Sequence, residues 1–409
     1  MDELIRSRMH EALDVEQPDS RLRSRVIASL PADEPVTRRV WVPDGQWVVG
    51  AVAVLLTIAL IAAALYLRSG LIPARHGPGP LPKPVPAVNS PEGIAVGPDG
   101  SVYVSDYDGG YVFRIRPDRT RSIVAGTGTN DERGDGGLAI NAAVDRPSGL
   151  TIAGNGDLLI ADFDGQRIRR IDSLGFITTI AGGGLNKTQG SGSFSGDGGL
   201  ATSAKLSQPL GIAFGPTGAL FVGDSRNGRV RRIDPTGIIT SLDSSKLPRP
   251  QWIPGYLAFD PAGNLFVADR APYPAAFVGG GCRIVKVSPK GVMSVIAGTG
   301  TCGFSGDGGP AVAAQVEDPN GIAFDSAGNL YFASGQRIRR IDRNGIITTV
   351  AGTGVAGDAG DGGLGINAQL DSPFGIGMGP GGLLYIAEGG GKRVRLLRLS
   401  DGIITTIAR

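Results

Sequence analysis

Histidine is almost absent from this 409-residue sequence, since His10 and His76 are the only two. Both precede residue 91, so the rest of the chain cannot build a Ser-His-Asp or Cys-His catalytic group or a three-histidine zinc centre. Cysteine is equally scarce: Cys282 and Cys302, 20 residues apart, fit no CxxC metal motif. This spacing leaves two alternatives, one disulfide in an oxidising compartment or two unlinked thiols.

An excess of charge of either sign is also lacking. Lys plus Arg number 40 and Asp plus Glu 38, a formal net charge of +2. This balance gives no support to a nucleic acid or another polyanion as partner. The 66 glycines and 28 prolines exclude a mainly helical protein, whereas the 41% of hydrophobic residues are sufficient for a folded core.

One long uncharged run stands near the N-terminus, at Val48–Leu67. Its 20 residues would form a helix of about 30 Å, the thickness of the hydrocarbon core of a bilayer. The run predicts a single transmembrane helix over residues 46–67, and the residues that precede it favour a signal-anchor over a cleaved signal peptide. Basic residues are more frequent before the run than after it: Arg21, Arg23, Arg25, Arg38 and Arg39 against Arg68, Arg75 and Lys83. We therefore expect a cell-membrane protein with a cytoplasmic N-terminus and an extracytoplasmic C-terminal region.

Two short segments flank the predicted helix. Residues 1–45 form a short, partly helical cytoplasmic tail, which either only sets the topology or also binds a cytoplasmic partner. Residues 68–90 carry prolines at positions 73, 78, 80, 82, 84 and 86. This density of proline predicts a stiff extracytoplasmic stalk that extends by about 3 Å per residue.

Residues 91–409 contain a six-fold internal repeat. Each copy opens with a proline and a pattern such as PEGIAVGPDGSVYVSD, continues through a basic run such as RIRRID, and ends in a Thr- and Ile-rich run such as IITTVAG. The opening prolines are Pro91, Pro147, Pro209, Pro254, Pro319 and Pro373. Alternating strand patterns separated by DG, AGN and TG turns predict four antiparallel strands in each copy. The prediction is an all-β, six-bladed β-propeller, with a parallel solenoid as the competing repeat architecture.

The opening motif followed by a basic R-I-R strand resembles the NHL repeat of six-bladed propellers. The GDGG segments between copies are similar to those of bacterial NHL proteins and of the teneurin propeller. The resemblance covers about residues 90–409 and implies the fold. For function it implies either a binding ectodomain or, in propellers with a substituted centre, an enzyme.

Carboxylates recur on the face where the second strand of each copy ends. They comprise the strand ends Asp106, Asp162, Asp224, Asp269 and Glu388 and the GDGG residues Asp135, Asp197, Asp307 and Asp361. These residues either form a rim that binds cations, sugars or a protein, or cap their own turns. The third-strand arginines are expected to be solvated and to pair with neighbouring carboxylates.

Residues near the centre break the repeat. Glu92 and Asn320, each directly after an opening proline, resemble positions of gluconolactonase-type propellers whose centre holds a divalent ion. That resemblance implies Ca²⁺, Mg²⁺ or Mn²⁺ at these two residues and a metal-dependent hydrolase. The prediction that we favour has no cofactor and no catalysis: a membrane-anchored binding module for a protein or glycan, with a transmembrane sensor as a compatible role.

Overall fold

The computed structural model describes residues 85–129, 133–183, 194–243, 252–270 and 281–409. The predicted tail, the predicted transmembrane helix and the stalk up to residue 84 lie outside the described residues. Within the described ranges, no helix is both long and apolar enough to cross a membrane.

The described residues form 24 strands in six four-stranded antiparallel sheets, which confirms the predicted all-β, six-bladed propeller. Each sheet, or blade, consists of four consecutive strands. The strands are, in blade 1, β1 (Pro91–Val96), β2 (Val102–Asp106), β3 (Tyr111–Ile115) and β4 (Arg121–Ala125); in blade 2, β5 (Pro147–Ile152), β6 (Leu158–Asp162), β7 (Arg167–Ile171) and β8 (Ile177–Ala181); in blade 3, β9 (Pro209–Phe214), β10 (Leu220–Asp224), β11 (Arg229–Ile233) and β12 (Ile239–Ser241); in blade 4, β13 (Pro254–Phe259), β14 (Leu265–Asp269), β15 (Arg283–Val287) and β16 (Met293–Ala297); in blade 5, β17 (Pro319–Phe324), β18 (Leu330–Ser334), β19 (Arg337–Ile341) and β20 (Ile347–Ala351); and in blade 6, β21 (Pro373–Gly379), β22 (Leu383–Glu388), β23 (Arg393–Arg398) and β24 (Ile404–Ala408).

The first strands of the blades surround a central channel. Each of them contacts the first strand of the next blade, and β21 of blade 6 contacts β1 of blade 1. The ring therefore closes by contact between blades 6 and 1, and no blade combines strands from both ends of the propeller. In this six-membered ring, blade 4 lies opposite blade 1. In every blade the register shifts between the opening proline and the residue three places later, as between Pro91 and Ile94 in blade 1.

A glycine in the opening motif lets neighbouring first strands approach each other. A Cβ atom added to Gly375 would collide with the carbonyl oxygen of Glu92, at the junction that closes the ring. The same holds for Gly93 against the carbonyl of Ser148 in the next blade. Because the colliding atom is backbone, a side chain cannot move aside to make room.

We expect Gly375→Ala to lower the free energy of unfolding by about 1–3 kcal/mol, the usual cost of overpacking. The matched control is Gly154→Ala, because a Cβ atom there meets nothing within 4 Å. Urea unfolding of both variants measures the difference. Equal stability of the two variants would contradict the close approach of β21 and β1.

The third-strand arginines correct one expectation from the sequence. Arg169, Arg231, Arg339 and Arg395 have fully buried side chains rather than solvated ones. Each pairs with the GDGG aspartate of the segment that leads into its own blade, at 2.6–2.9 Å: Asp135, Asp197, Asp307 and Asp361, respectively. Each of these ion pairs therefore links an inter-blade segment to the interior of the blade that follows it.

Cys282 and Cys302 form a disulfide, with their Cα atoms 5.2 Å apart. The sequence left open whether these cysteines form a disulfide or remain unlinked thiols, and the structure contains the disulfide. Cys282 directly precedes β15 and is fully buried, whereas Cys302 lies in the segment between blades 4 and 5. The disulfide therefore ties blade 4 to the connection that follows it.

Candidate functional site

The strand-end carboxylates predicted as a binding rim are buried and have partners within the fold. Asp106 accepts hydrogen bonds from the backbone N–H groups of Asn89 and Ser90 at 3.0 and 2.7 Å. The others form ion pairs with third-strand arginines: Asp162 with Arg167, Asp224 with Arg231, Asp269 with Arg283 and Glu388 with Arg393. Burial raises the pKa of all five carboxyl groups. A ligand-binding role for these residues, and for the four GDGG aspartates, stays a prediction.

The repeat is broken most clearly in blade 4. The third residue of the opening motif is glycine in five blades, but in blade 4 it is Tyr256. Its side chain enters the central channel, and its hydroxyl donates a hydrogen bond of 3.4 Å to Oε1 of Glu92 in the opposite blade. This contact spans the channel and joins residues 164 positions apart in the sequence.

Glu92 itself is only 7% exposed. Burial raises the pKa of its carboxyl to about 7, although the charge of Arg270 and the hydrogen bond from Tyr256 act in the opposite direction. Asp108 raises the pKa slightly further by like-charge repulsion. The group therefore changes its charge near neutral pH.

Blades 4 and 5 contribute a cluster of polar side chains, one of which, Arg270, acts electrostatically on Glu92. Arg270 forms an ion pair of 3.0 Å with Asp318, and the side-chain N–H of Asn320 donates to the Asp318 carbonyl at 3.0 Å. Asn320 is 5% exposed, and its Oδ1 atom is buried without a hydrogen-bond partner among the described residues. An orphaned buried acceptor of this kind is costly and requires an explanation.

Blades 1 and 2 contribute an aromatic group on the same face. Arg146 forms an ion pair of 2.9 Å with Asp164, and its guanidinium lies 5.5 Å from the ring centroid of Tyr107. Tyr107 packs edge-to-face on Phe163, with 5.5 Å between the centroids. Burial and the nearby Glu92 charge raise the pKa of Tyr107, so this phenol stays neutral.

These residues together form what we call the channel mouth: Glu92, Tyr107, Asp108, Arg146, Phe163, Asp164, Tyr256, Arg270, Asp318 and Asn320. Sequence reasoning identified only Glu92 and Asn320. The sequence does contain a signal for Tyr256, because the copy of blade 4 opens with PGY where the other five copies open with P-x-G. The signal for Tyr107, Phe163 and Arg270 was weaker: each directly follows a strand-end aspartate, where blades 5 and 6 have glycine.

Comparison with protein families supports the repeat assignment. A family model described as "Teneurin NHL domain" matches residues 193–356, and one described as "Strictosidine synthase-like, N-terminal" matches residues 84–115. The six-fold ring of four-stranded blades agrees with the first of these. The match and the ring of blades support an NHL-repeat propeller family for this chain.

Relatives and solved structures are similar to part of this chain. Teneurin-3 of Danio rerio is 38% identical over 189 residues, which is 43% of this chain and 6% of the relative. Human teneurin-1 is 31% identical over 258 residues, 60% of this chain and 9% of the relative. The chain thus spans less than a tenth of the length of these curated relatives. A structure of a protein of unknown function from Bacteroides thetaiotaomicron matches with a TM-score of 0.55 and 20% identity, covering 75% of this chain and 69% of that one, which shows the fold alone.

The channel mouth of this NHL propeller does not fit a divalent metal ion. Glu92 accepts a hydrogen bond from Tyr256, the guanidinium of Arg270 acts on it, and the side-chain nitrogen of Asn320 is held by a carbonyl. Among the described residues no group of three His, Cys, Asp or Glu could hold a metal. Glu92 and Asn320 alone supply too few oxygen donors for a site of this kind, which takes about six.

Glu92→Gln should change how stability depends on pH. The pKa of the Glu92 carboxyl is about 7 in the folded NHL propeller, against 4.5 for an unperturbed glutamate, so the folded state binds more protons between these two values. The contribution of Glu92 to the free energy of unfolding is therefore complete below pH 4.5 and is lost as the pH rises through 7. Glutamine mimics the protonated carboxyl, so the variant should match wild type at low pH and melt at a higher temperature at pH 8.

Thermal unfolding between about pH 4.5 and pH 8 tests this expectation. The other buried carboxyls are present in both proteins and cancel in the difference between them. Glu317→Gln, which removes an exposed carboxylate on the same face, is the control and should follow wild type. A Glu92→Gln difference that does not increase with pH would show that Glu92 is ionised across this range.

Proposed function

We propose that this chain is a membrane-anchored, extracytoplasmic NHL propeller that binds its ligand at the channel mouth and performs no catalysis. The observation that carries the proposal is the convergence of non-repeated residues. Tyr256 and Arg270 depart from the repeat and act on Glu92, and Asn320 hydrogen-bonds Asp318, the partner of Arg270. The repeated strand-end carboxylates are occupied within the scaffold. Scaffold positions repeat from blade to blade, whereas a binding site on a propeller needs a particular asymmetric set of groups.

The ligand-binding part can be tested by thermal unfolding of the full chain in a mild detergent against a library of small amines, acids, amides and monosaccharides. A ligand at 100 times its dissociation constant stabilises the folded state by about 2.7 kcal/mol. We expect shifts that Asn320→Ala abolishes. The control is Leu174→Asp, because Leu174 is 76% exposed in a turn of blade 2. Shifts that persist in Asn320→Ala would place the ligand elsewhere.

Membrane anchoring is supported by the uncharged run Val48–Leu67 and by the disulfide, which is typical of an oxidising compartment. A membrane-impermeant amine reagent tests it, because Lys290 and Lys392 are exposed on the propeller. We expect both lysines to be labelled in intact cells and protected in inside-out vesicles. The reverse pattern would place the propeller in the cytoplasm. A sensor role of residues 1–45 depends on this topology.

Adding metal ions separates the binding module from the metal-dependent hydrolase alternative. After EDTA treatment, Ca²⁺, Mg²⁺ or Mn²⁺ should leave the melting temperature of the full chain unchanged, because Arg270 and Tyr256 act on the carboxyl that would be the first ligand. A selective shift that Glu92→Gln removes would restore the hydrolase interpretation, and lactones would then be the first substrates to assay.

A further inference from the structure

The channel mouth carries more carboxyl groups than cations. It contains four carboxyl groups, from Glu92, Asp108, Asp164 and Asp318, and two guanidinium groups. Both guanidinium groups are already paired, Arg146 with Asp164 and Arg270 with Asp318. Glu92 and Asp108 form no ion pair with a described residue. An anionic ligand would have to displace an existing ion pair, whereas a cationic ligand would not.

The unsatisfied groups at the mouth accept hydrogen bonds rather than donate them. Because the Asp318 carbonyl accepts from the nitrogen of Asn320, the atom left without a partner is the oxygen Oδ1. Among the described residues, Tyr256 alone donates a hydrogen bond to the Glu92 carboxyl, and that bond is long, at 3.4 Å. An ammonium group offers three donors and no acceptor, which matches this set. Tyr107 and Tyr256 add aromatic rings, whose faces attract cations.

Glu92 is a buried acid without a counter-ion among the described residues. Burial destabilises its ionised form and raises its pKa to about 7. A cation paired with the carboxylate would offset part of that cost.

We propose that the channel mouth binds a primary ammonium group on an aliphatic chain, with the Glu92 carboxylate as its counter-ion and Asn320 Oδ1 as a hydrogen-bond acceptor. This inference rests on the proposed function. The chemistry has two sources, a free alkylamine or a lysine side chain of a partner, and the experiment below separates them.

Binding of the ammonium group is coupled to the ionisation of Glu92. The charged or titratable groups that act on Glu92 are Arg270, Asp108, Tyr256 and Tyr107. The two phenols have raised pKa values and do not ionise near neutral pH. Binding at pH 7 should therefore release about half a proton, and affinity should fall about tenfold for each pH unit below 7.

Isothermal titration of the full chain in detergent with n-butylammonium tests the proposal. Titrations in phosphate and in MOPS, which differ in ionisation enthalpy and contain no primary amine, give the number of protons released. A blocked Gly-Lys-Gly tripeptide tests the lysine source, and 1-butanol is the neutral control for the aliphatic chain. We expect saturable binding of at least one ammonium probe, proton release at pH 7 and no binding of 1-butanol. Binding of butylammonium alone indicates a free amine, and tighter binding of the tripeptide indicates a lysine side chain.

Three variants locate the bound probe. Glu92→Gln should abolish proton release and weaken binding at least about tenfold, and Asn320→Ala should weaken it by about tenfold through the lost hydrogen bond to a charged donor. Glu317→Gln, which removes an exposed carboxylate on the same face, should change the affinity less than about twofold. The melting temperature of each variant reports that it is folded.

Binding that releases no proton, or that Glu92→Gln leaves unchanged, would overturn the assignment of an ammonium group. Absence of binding by both ammonium probes would also overturn it. N-acetylglucosamine is added as a neutral probe to separate this failure from failure of the proposed function. If the sugar binds and Asn320→Ala abolishes its binding, the channel mouth remains the binding site and the ammonium assignment is wrong.

Discussion

Replacement of Arg395 by leucine should lower the free energy of unfolding by about 3–5 kcal/mol, the cost of removing one partner of a buried ion pair. The Arg395 side chain is fully buried and donates to Asp361 at 2.9 and 2.7 Å and to the Gln369 carbonyl at 2.8 Å. It also lies 3.6 Å from the buried Glu388 carboxylate. Leucine fills part of the volume but removes the donor of these hydrogen bonds and the positive charge beside Glu388. For a propeller of this size the melting temperature should fall by about 4–7 °C.

The matched control is Arg398→Leu on the same strand. Arg398 pairs with Asp401, but the two side chains are 51% and 45% exposed. An exposed pair contributes at most about 1 kcal/mol, so this variant should be close to wild type. Urea unfolding of both variants gives the comparison. If Arg395→Leu were no less stable than Arg398→Leu, the buried arginine would not hold the inter-blade segment to blade 6.

Reduction of the disulfide between Cys282 and Cys302 should lower the free energy of unfolding by about 3 kcal/mol, because the bridge closes a 20-residue loop in the unfolded chain. Unfolding with and without a reducing agent measures this loss. Thiol titration of the denatured, unreduced wild type should find no free cysteine, since both are paired.

Cys302→Ala provides the control for the effect of the reducing agent. This variant lacks the bridge, so its stability should already be lowered and should not respond to the reductant. Cys302 is exposed, so its truncation should have little effect on packing. A wild type that responds to the reductant no more than the variant would show that the bridge does not form in the isolated protein.

Much of the fold could be predicted because each blade repeats the same local pattern. The opening prolines mark the first residues of β1, β5, β9, β13, β17 and β21. Turn residues separate the strands within a blade, and a four-stranded sheet made of consecutive strands requires only local pairing. Such pairing follows from alternation and turn chemistry, which one sequence displays.

The buried arginines were not predicted as buried, although a signal for them exists within the chain. The GDGG segment precedes blades 2, 3, 5 and 6, and those blades have arginine at the third residue of their third strand. Blades 1 and 4 lack a preceding GDGG, and they have Phe113 and Val285 at that position. The third-strand arginine and the GDGG aspartate therefore occur together or are both absent, as expected of a buried ion pair.

The channel mouth was only partly predictable because its contacts cross the ring. Tyr256 and Glu92 meet because blades 1 and 4 face each other, a relation that depends on closure of all six blades. The ion pair of Arg270 with Asp318 likewise joins two blades. A sequence shows that Tyr256 is exceptional, whereas its partner follows only from the closed ring.

A ligand site at the channel mouth is tested most directly by a crystal structure of the protein soaked with a library of small amines, amides and sugars. We expect density for bound molecules at the channel mouth, in contact with Glu92 or Asn320, and none at that site in Asn320→Ala crystals. Molecules bound only at the outer edges of the blades, with the channel mouth occupied in neither protein, would contradict this expectation.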